Sequence, residues 1–255
     1  TVVVVLAKPP REGLVATGLA ESTPLSTAEA AELYEALFRD AVLAVERSGA
    51  DLLVNYPVDD DLPAEHRTDT TPEAEIRTLV ADTLGGTGDV RFERQVGSSF
   101  DARAGNTVTH LLREEGARSV AVVTPQAPLL SRTIIDSAAM KLRTNEVVLG
   151  PSTRGRTYYA GFTEPIDFEG AFGAPSLPTL AARGRDAGLD VEFIESSPSM
   201  VDGDDLLDAL PLLRARFAAQ RVVPDYTASF VHEKGLDVVV EDGDERVVCD
   251  SRGGD

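Results

Sequence analysis

The 255-residue chain contains 43 acidic and 24 basic residues, which gives it a formal net charge of -19. Its hydrophobic fraction of 42% is sufficient for one sizeable core, and no apolar run approaches the roughly 20 residues that span a bilayer. This composition predicts a globular protein with no membrane-spanning segment and no nucleic-acid partner, because phosphate backbones are bound by basic surfaces.

Apolar runs of strand length alternate along the chain with stretches of helical periodicity, a pattern typical of a mostly parallel sheet with crossover helices. The predicted strands are 2–7, 51–56, 90–95, 119–123, 146–149, 157–162 and 190–194. The predicted helices are 26–48, 72–84, 101–115, 131–142, 176–187 and 204–219. Ser26 and Glu29 have the spacing of a capping box for the first helix. The expected fold class is α/β, a three-layer sandwich around a mostly parallel central sheet.

Strands 146–149 and 157–162 are joined by a loop too short for a crossover helix, so we expect this pair to be antiparallel or splayed. Tyr158 and Tyr159 point to opposite faces of the second strand, and one of them is predicted to lie in the core. Beyond residue 220 we predict a short helix, 226–233, and a hairpin of strands 236–240 and 245–249. The predicted domains are therefore 1–220 and a C-terminal extension, 221–255.

The acidic residues are dispersed along the chain, and only three lysines occur: Lys8, Lys141 and Lys234. This pattern resembles the surface of halophilic cytosolic proteins, where molar salt shortens the electrostatic screening length to about 3 Å. Cys249 is the single cysteine, so no internal disulfide and no zinc motif can form. We therefore expect a reducing, cytoplasmic location.

Ligands of open α/β sheets bind at the carboxyl ends of the strands, and four loops follow predicted strands here. The loop 8–19 offers Lys8 and Arg11 beside Gly13, which suits a phosphate group; a solvated loop is the alternative. The loop 95–103 offers Gln95, Gly97 and Arg103. Arg103 either reaches the ligand or pairs with Asp101 or Glu114.

The other two loops are 124–130 and 150–156. Gln126 in the first can form hydrogen bonds but is a poor ligand for a hard divalent cation. Arg154 and Arg156, on either side of Gly155, form a second candidate anion site, with a solvated hairpin as the alternative. In the acidic cluster 202–205, Asp204 or Asp205 is expected to cap a helix, and Asp202 is a weak metal-ligand candidate.

Taken in order, residues 1–210 resemble a family of glycosyltransferase-A-like proteins, related to nucleotide-sugar transferases and to phospholactate guanylyltransferase, in a branch like that of haloarchaea. The family motifs K-x-P-x-x-G, A-A-x-L-Y, Q-x-G-x-D-L-x-x-R and L-G-P-x-x-D-G-G-Y-Y-L-x-G carry the resemblance. The matching residues include Lys8, Gly13, Thr17, Leu19, Ala30, Ala31, Leu33, Tyr34, Gln95, Gly97, Arg103, Leu149, Gly150, Pro151, Gly155, Tyr158, Gly161, Val201 and Asp202. The resemblance implies that 1–220 is a nucleotide-binding domain that transfers a nucleotidyl or glycosyl group.

The chain departs from the family where charge matters. The family's K-T-R is replaced here by Ala16, Thr17 and Gly18. Its G-T-D-S-P aligns with 124–128, where Gln126 stands at the position of the acidic residue. An acidic residue of its Q-x-G motif is replaced by Ser99, and its D-G-G aligns with 154–156. The resemblance implies a Mg²⁺ or Mn²⁺ cofactor between phosphates, but its main carboxylate ligand is absent. Arginines can neutralise a diphosphate without a metal.

Three functional hypotheses follow. The first is a transferase-like protein that binds a nucleotide or nucleotide sugar and has a degenerate metal site. The second is a non-catalytic nucleotide- or anion-binding regulatory module on the same fold. The third is a structural partner protein. The sequence leaves the base, the sugar or acceptor, and a homodimer open.

Overall fold

A computed structural model describes residues 1–249. The strands are β1 (Val2–Leu6), β2 (Asp51–Tyr56), β3 (Arg91–Arg94), β4 (Val120–Val123), β5 (Val147–Pro151), β6 (Thr157–Phe162), β7 (Val191–Phe193), β8 (Leu236–Glu241) and β9 (Asp244–Cys249). The helices are α1 (Thr17–Ser22), α2 (Thr27–Glu46), α3 (Pro72–Leu84), α4 (Phe100–Arg113), α5 (Arg132–Lys141), α6 (Ser176–Asp186), α7 (Gly203–Ala218) and α8 (Asp225–Glu233). The predicted strands and long helices are all present, with ends that differ by one or two residues.

The main sheet has seven strands in the order β3-β2-β1-β4-β6-β5-β7. Strand β6 runs antiparallel to both of its neighbours, whereas the other pairs in this sheet are parallel. The α/β class and the antiparallel pairing of β5 with β6 are therefore confirmed. Because β1 and β4 are adjacent and parallel, the loops that follow them meet at one edge of the sheet.

Helices cover both faces of this sheet. On one face α2, α3 and α5 bury Val42, Ile76 and Ile135. On the other face α4 and α6 bury Val108 and Leu180. Since the central strands are covered on both sides, their residues are buried at consecutive positions, as in β1 and β4.

The two tyrosines of β6 are more buried than the sequence indicated. We expected Tyr158 and Tyr159 to point to opposite faces, with one of them in the core. Both are buried, with exposed fractions of 1% and 0%, and both belong to the apolar cluster of Val42 and Ile135, because the strand register shifts at this point. No helix of the described residues is long and apolar enough to cross a membrane.

A third apolar cluster joins the C-terminal elements to the rest of the chain. Phe230 of α8 and Leu236 of β8 pack with Leu37 of α2 and Leu210 of α7. The buried carboxylate of Asp40 accepts hydrogen bonds from the N–H groups at positions 226 and 227, at 3.0 and 2.7 Å. The predicted helix and hairpin are thus present, while the domain division at residue 220 stays a prediction and residues 250–255 lie outside the described part.

Two local features differ from the sequence expectation. Helix α1 lies within the segment predicted to be a loop; it has only six residues, and its N-cap Ala16 offers no capping side chain. The residue that caps α7 is Asp202, whose side chain accepts from the N–H of Asp205 at 3.2 Å, so neither Asp204 nor Asp205 is the cap. A cap bonds the N–H group three residues later, which places it one position before the first helical residue.

Candidate functional site

A cleft of about 330 Å³ lies where β1, β3 and β4 end, within the range of about 300 to 1,000 Å³ that is usual for small-molecule sites. Its walls come from the loops after these strands, from α1 and from the segment before α7. The lining residues are Leu6, Ala7, Lys8, Leu14, Val15, Ala16, Thr17, Gly18, Tyr34, Gln95, Phe100, Arg103, Thr124, Pro125, Gln126, Met200 and Val201. Three of the four loops chosen from the sequence therefore meet here.

Gln95 fixes the base of the cleft. Its buried side-chain amide donates to the carbonyl oxygens of Ala7 at 2.9 Å and Asn55 at 2.8 Å. The Asn55 amide donates in turn to the carbonyl oxygens of Glu93 and Arg94. These bonds tie together the carboxyl ends of β1, β2 and β3, so Gln95 is in the cleft as predicted and also holds the strand ends in place.

Lys8 is the first cation in the cleft. Its backbone N–H donates to the hydroxyl of the buried Tyr34 at 3.0 Å, which anchors the residue where β1 ends. The surrounding protein partly desolvates the Lys8 ammonium, and this lowers its pKa. The positive charge of Arg103 lowers that pKa further. An anion bound between these two cations would relieve their repulsion.

Arg103 is the second cation. Its Nε donates to the carbonyl oxygen of Gly97 at 3.0 Å. Gly97 has φ +138°, and a Cβ there would lie 2.9 Å from the backbone nitrogen of Arg103, so the position requires glycine. Within residues 1–249 neither Lys8 nor Arg103 has a carboxylate within 4 Å, so the expected alternative of a pair with Asp101 or Glu114 is wrong. The Asp101 carboxylate accepts instead from the N–H of Phe172 at 2.6 Å.

Gln126 lines the cleft from the loop after β4. Its backbone carbonyl oxygen accepts a hydrogen bond from the N–H of Met200 at 2.9 Å, which fixes this loop against the segment before α7. Gln126 is half-buried, and its side chain has no hydrogen-bond partner among the described residues.

Arg11 and Gly13 lie outside the cleft lining. Arg11 pairs with Glu75 at 2.9 Å and donates to the carbonyl oxygens of His66 and Thr70. Gly13 has φ +72°, and a Cβ there would lie 3.1 Å from the His66 ring. These contacts attach the first loop to the segment before α3, and a ligand contact by either residue stays a prediction.

Arg154 and Arg156 also lie outside the cleft lining, beside the start of α7. Arg154 pairs with Asp202 and, at 3.4 and 3.3 Å, with Asp204 and Asp205. Arg156 pairs with Asp205 and, at 3.7 Å, with Asp202. Gly155 between them has φ +70° and completes the tight turn. The three residues form a tie between the β5–β6 loop and α7, and their contact with a ligand phosphate stays a prediction.

Asp205 is the centre of this tie, and its side chain is fully buried. Burial alone would raise its pKa. The hydrogen bonds from Arg156, from the Thr153 hydroxyl at 2.7 Å and from the Val201 N–H at 3.0 Å outweigh that effect and hold the pKa of Asp205 below its usual value.

The donor set does not fit the divalent cation that the family resemblance implies. A hard cation prefers several carboxylate oxygens, and no group of three or more His, Cys, Asp or Glu within residues 1–249 is placed to hold a metal. The side chain at position 126 is a neutral amide. Asp202, the weak candidate, accepts bonds from Arg154 and from the N–H of Asp205.

Gln126→Asp should therefore add to the cleft a carboxylate that its described lining residues lack. We expect manganese to bind this variant at least about tenfold more tightly, a gain of about 1.4 kcal/mol, because a carboxylate oxygen replaces a neutral amide at a residue that lines the cleft. Calorimetry with manganese chloride measures the difference. Gln220→Asp adds the same charge at an exposed position and serves as the control. Tight stoichiometric binding by the unmodified protein would contradict the expectation.

The structure defines an α/β protein with a cleft at the strand ends, and the comparisons with known proteins agree with this fold. Residues 64–172 match the family described as "Uncharacterized protein conserved in bacteria (DUF2064)". The chain is 34% identical over 100 residues to 2-phospho-L-lactate guanylyltransferase from Methanopyrus kandleri, a match that spans 38% of this chain and 53% of that relative. The chain thus covers about half the length of this curated relative.

The crystal structure of a protein from Desulfovibrio desulfuricans G20, assigned to the nucleotide-diphospho-sugar transferases, superposes with a TM-score of 0.71. The two chains are 20% identical, and the superposition covers 91% of this chain and 94% of the other. The nucleotide-diphospho-sugar transferase type of fold is therefore confirmed, and so is the resemblance to phospholactate guanylyltransferase, while the haloarchaeal branch stays a prediction.

Phe100 and Met200 line the cleft but were missed by the sequence analysis. Met200 reaches it through a hydrogen bond to a loop more than 70 residues away, which no local pattern shows. Phe100 did carry a signal: a large apolar residue stands directly after Ser99, at the start of a helix and three residues before Arg103.

Proposed function

We propose that the cleft binds the phosphates of a nucleoside triphosphate or nucleotide sugar between Lys8 and Arg103, and that the chain is a protein of the nucleotidyltransferase type. One observation carries the proposal. In a chain of net charge -19, the described residues that line this cleft include both cations and no Asp, Glu or His. Such a local excess of positive charge favours a polyanionic ligand.

The side chains that line the cleft also limit which acceptor could react. Without a lining carboxylate or imidazole to act as general base, the acceptor should be ionised already at neutral pH. A phosphate or carboxylate acceptor can attack the α-phosphorus with its own oxygen, and pyrophosphate then leaves. Lys8 and Arg103 would stabilise the negative charge that develops on the leaving group. The relative from Methanopyrus kandleri, named as a guanylyltransferase, supports nucleotidyl over glycosyl transfer.

The second candidate is a non-catalytic module that binds nucleotides. It is favoured by the neutral amide of Gln126 and by the pairing of Asp202 with arginine, since neither residue then offers a free carboxylate to a metal in or beside the cleft. Pyrophosphate release from GTP or CTP in the presence of 2-phospho-L-lactate and other phosphorylated acceptors separates the two. Tight nucleotide binding without any release would favour the module.

Lys8→Gln and Arg103→Gln should each weaken binding of GTP, CTP and tripolyphosphate at least about tenfold, or about 1.4 kcal/mol. The reason is that each variant removes one charge-assisted contact to phosphate. Calorimetry at constant molar potassium chloride measures the loss. Arg132→Gln and Lys141→Gln are the matched controls, because both cations are on the surface away from the cleft.

The pH dependence gives a second readout. Because the pKa of Lys8 is lowered, its ammonium loses its proton at a lower pH than an ordinary lysine. Affinity should therefore fall as the pH rises through that lowered value. Arg103→Gln removes the like charge and should move this fall to higher pH. Affinities of the cleft variants equal to those of the controls would refute the proposed site.

A further inference from the structure

Phe100 places an exposed aromatic ring on the wall of the cleft. The residue is 39% exposed and is the first residue of α4, whereas the other lining aromatic, Tyr34, is 3% exposed. A partly exposed phenylalanine forgoes part of the stabilisation that full burial of its ring would give. Its position on the wall of the cleft therefore favours a ligand that covers the ring.

The ring is held in place by a row of aromatic side chains that starts in the core. Buried Phe162 packs edge-on against Phe168 at 5.2 Å, and Phe168 stacks parallel to Phe172 at 6.3 Å. Phe172 then makes an edge contact with Phe100 at 5.2 Å, with an angle of 71° between the rings. Phe100 is exposed but supported from behind, so little conformational freedom is lost when a ligand stacks on it.

Close packing of α4 maintains this row. A Cβ at Gly105 would lie 2.8 Å from Phe168, so the absence of a side chain lets the Phe168 ring lie directly on the helix. The Asp101 carboxylate accepts from the backbone N–H of Phe172 and fixes the other end of the segment to the first turn of α4.

Phe100 is also placed correctly relative to the two cations. It precedes Arg103 by three residues, so the two side chains lie on the same side of the first helical turn. Both line the cleft with Lys8. A ligand with a flat ring and an attached chain of phosphates would match an aromatic wall beside two cations.

We propose that Phe100 stacks on the base of the nucleotide and that the bound ligand is therefore a nucleoside polyphosphate held by its ring as well as by its phosphates. This inference rests on the proposed phosphate site between Lys8 and Arg103. It adds a base subsite on the first turn of α4 that tolerates purines and pyrimidines, because every base offers an aromatic face.

The test compares a ligand with a base and a ligand without one. Phe100→Leu should weaken GTP and CTP binding about tenfold and leave tripolyphosphate binding unchanged, as measured by calorimetry at fixed salt. Phe217→Leu, at a position that is 74% exposed and outside the cleft, is the matched control. Unchanged tripolyphosphate binding also shows that the Phe100→Leu variant is folded.

A second readout uses the fact that the chain contains no tryptophan. Phe100→Trp introduces a single tryptophan, whose emission GTP and CTP should quench and tripolyphosphate should not; Phe217→Trp should respond to neither. Nucleotide affinity unchanged in Phe100→Leu, with no quenching in Phe100→Trp, would overturn the stacking and leave the phosphate site intact. Failure of the unmodified protein to bind either kind of ligand would overturn the proposed function and the base subsite together.

Discussion

The free energy of unfolding is expected to fall steeply when potassium chloride is lowered from molar concentrations to about 0.1 M. The net charge of -19 is unchanged by dilution, but the screening length grows from about 3 Å to about 10 Å. Repulsion between dispersed carboxylates then acts over the whole surface. We expect the loss to approach the total stability of an ordinary domain, about 5–15 kcal/mol, so that the chain unfolds at low salt.

Thermal melts over this range of salt measure the effect, and a charge variant separates screening from the general action of salt on apolar surface. Glu21, Asp82, Asp186 and Asp208 are exposed and make no ion pair among the described residues. Their conversion to amides changes the formal charge from -19 to -15 and should reduce the salt dependence. A melting temperature that stays constant from molar to 0.1 M salt would refute the halophilic interpretation.

Asp205→Asn is expected to lower the free energy of unfolding by about 3 kcal/mol, at the lower end of the cost of breaking a buried ion pair. The carboxylate is fully buried and pairs with Arg156, which is itself only 21% exposed. Its removal leaves the buried guanidinium with Asp202 alone, at 3.7 Å. The tie between the β5–β6 loop and α7 should loosen as a result. Denaturant unfolding at molar salt measures the loss.

Asp204→Asn is the matched control, because Asp204 is the neighbouring acid, is 78% exposed and contacts only Arg154 at 3.4 Å. Its effect should stay within about 0.5 kcal/mol, as for most surface substitutions. The pH gives an independent check. Because the pKa of Asp205 is lowered in the folded state, its contribution is present at neutral pH and is lost as the pH falls through that lowered value. Equal losses in the two variants would show that the buried pair is not a main contributor.

The elements of the fold could be predicted because their signals are local. Ser26 and Glu29 form the capping box that the sequence indicated, and the short loop between β5 and β6 requires an antiparallel pair. The cleft could be located in outline for a related reason: parallel strands bring their carboxyl ends to one edge of the sheet, and Lys8, Gln95, Arg103 and Gln126 follow such strands.

The tertiary structure alone decided which cations are available to a ligand. Arg11 and Arg156 have the same sequence signature as Lys8, a basic residue in a glycine-containing loop after a strand. Their partners Glu75 and Asp205 are 64 and 49 residues away, and no spacing in the sequence reveals such pairs. An arginine that is already paired with a neighbouring carboxylate adds little positive potential to the cleft. Lys8 and Arg103 line the cleft and have no carboxylate partner among the described residues. The exposure of Phe100 could not be predicted from the sequence for the same reason. It depends on the packing of Phe162, Phe168 and Phe172, which lie outside the helix of Phe100.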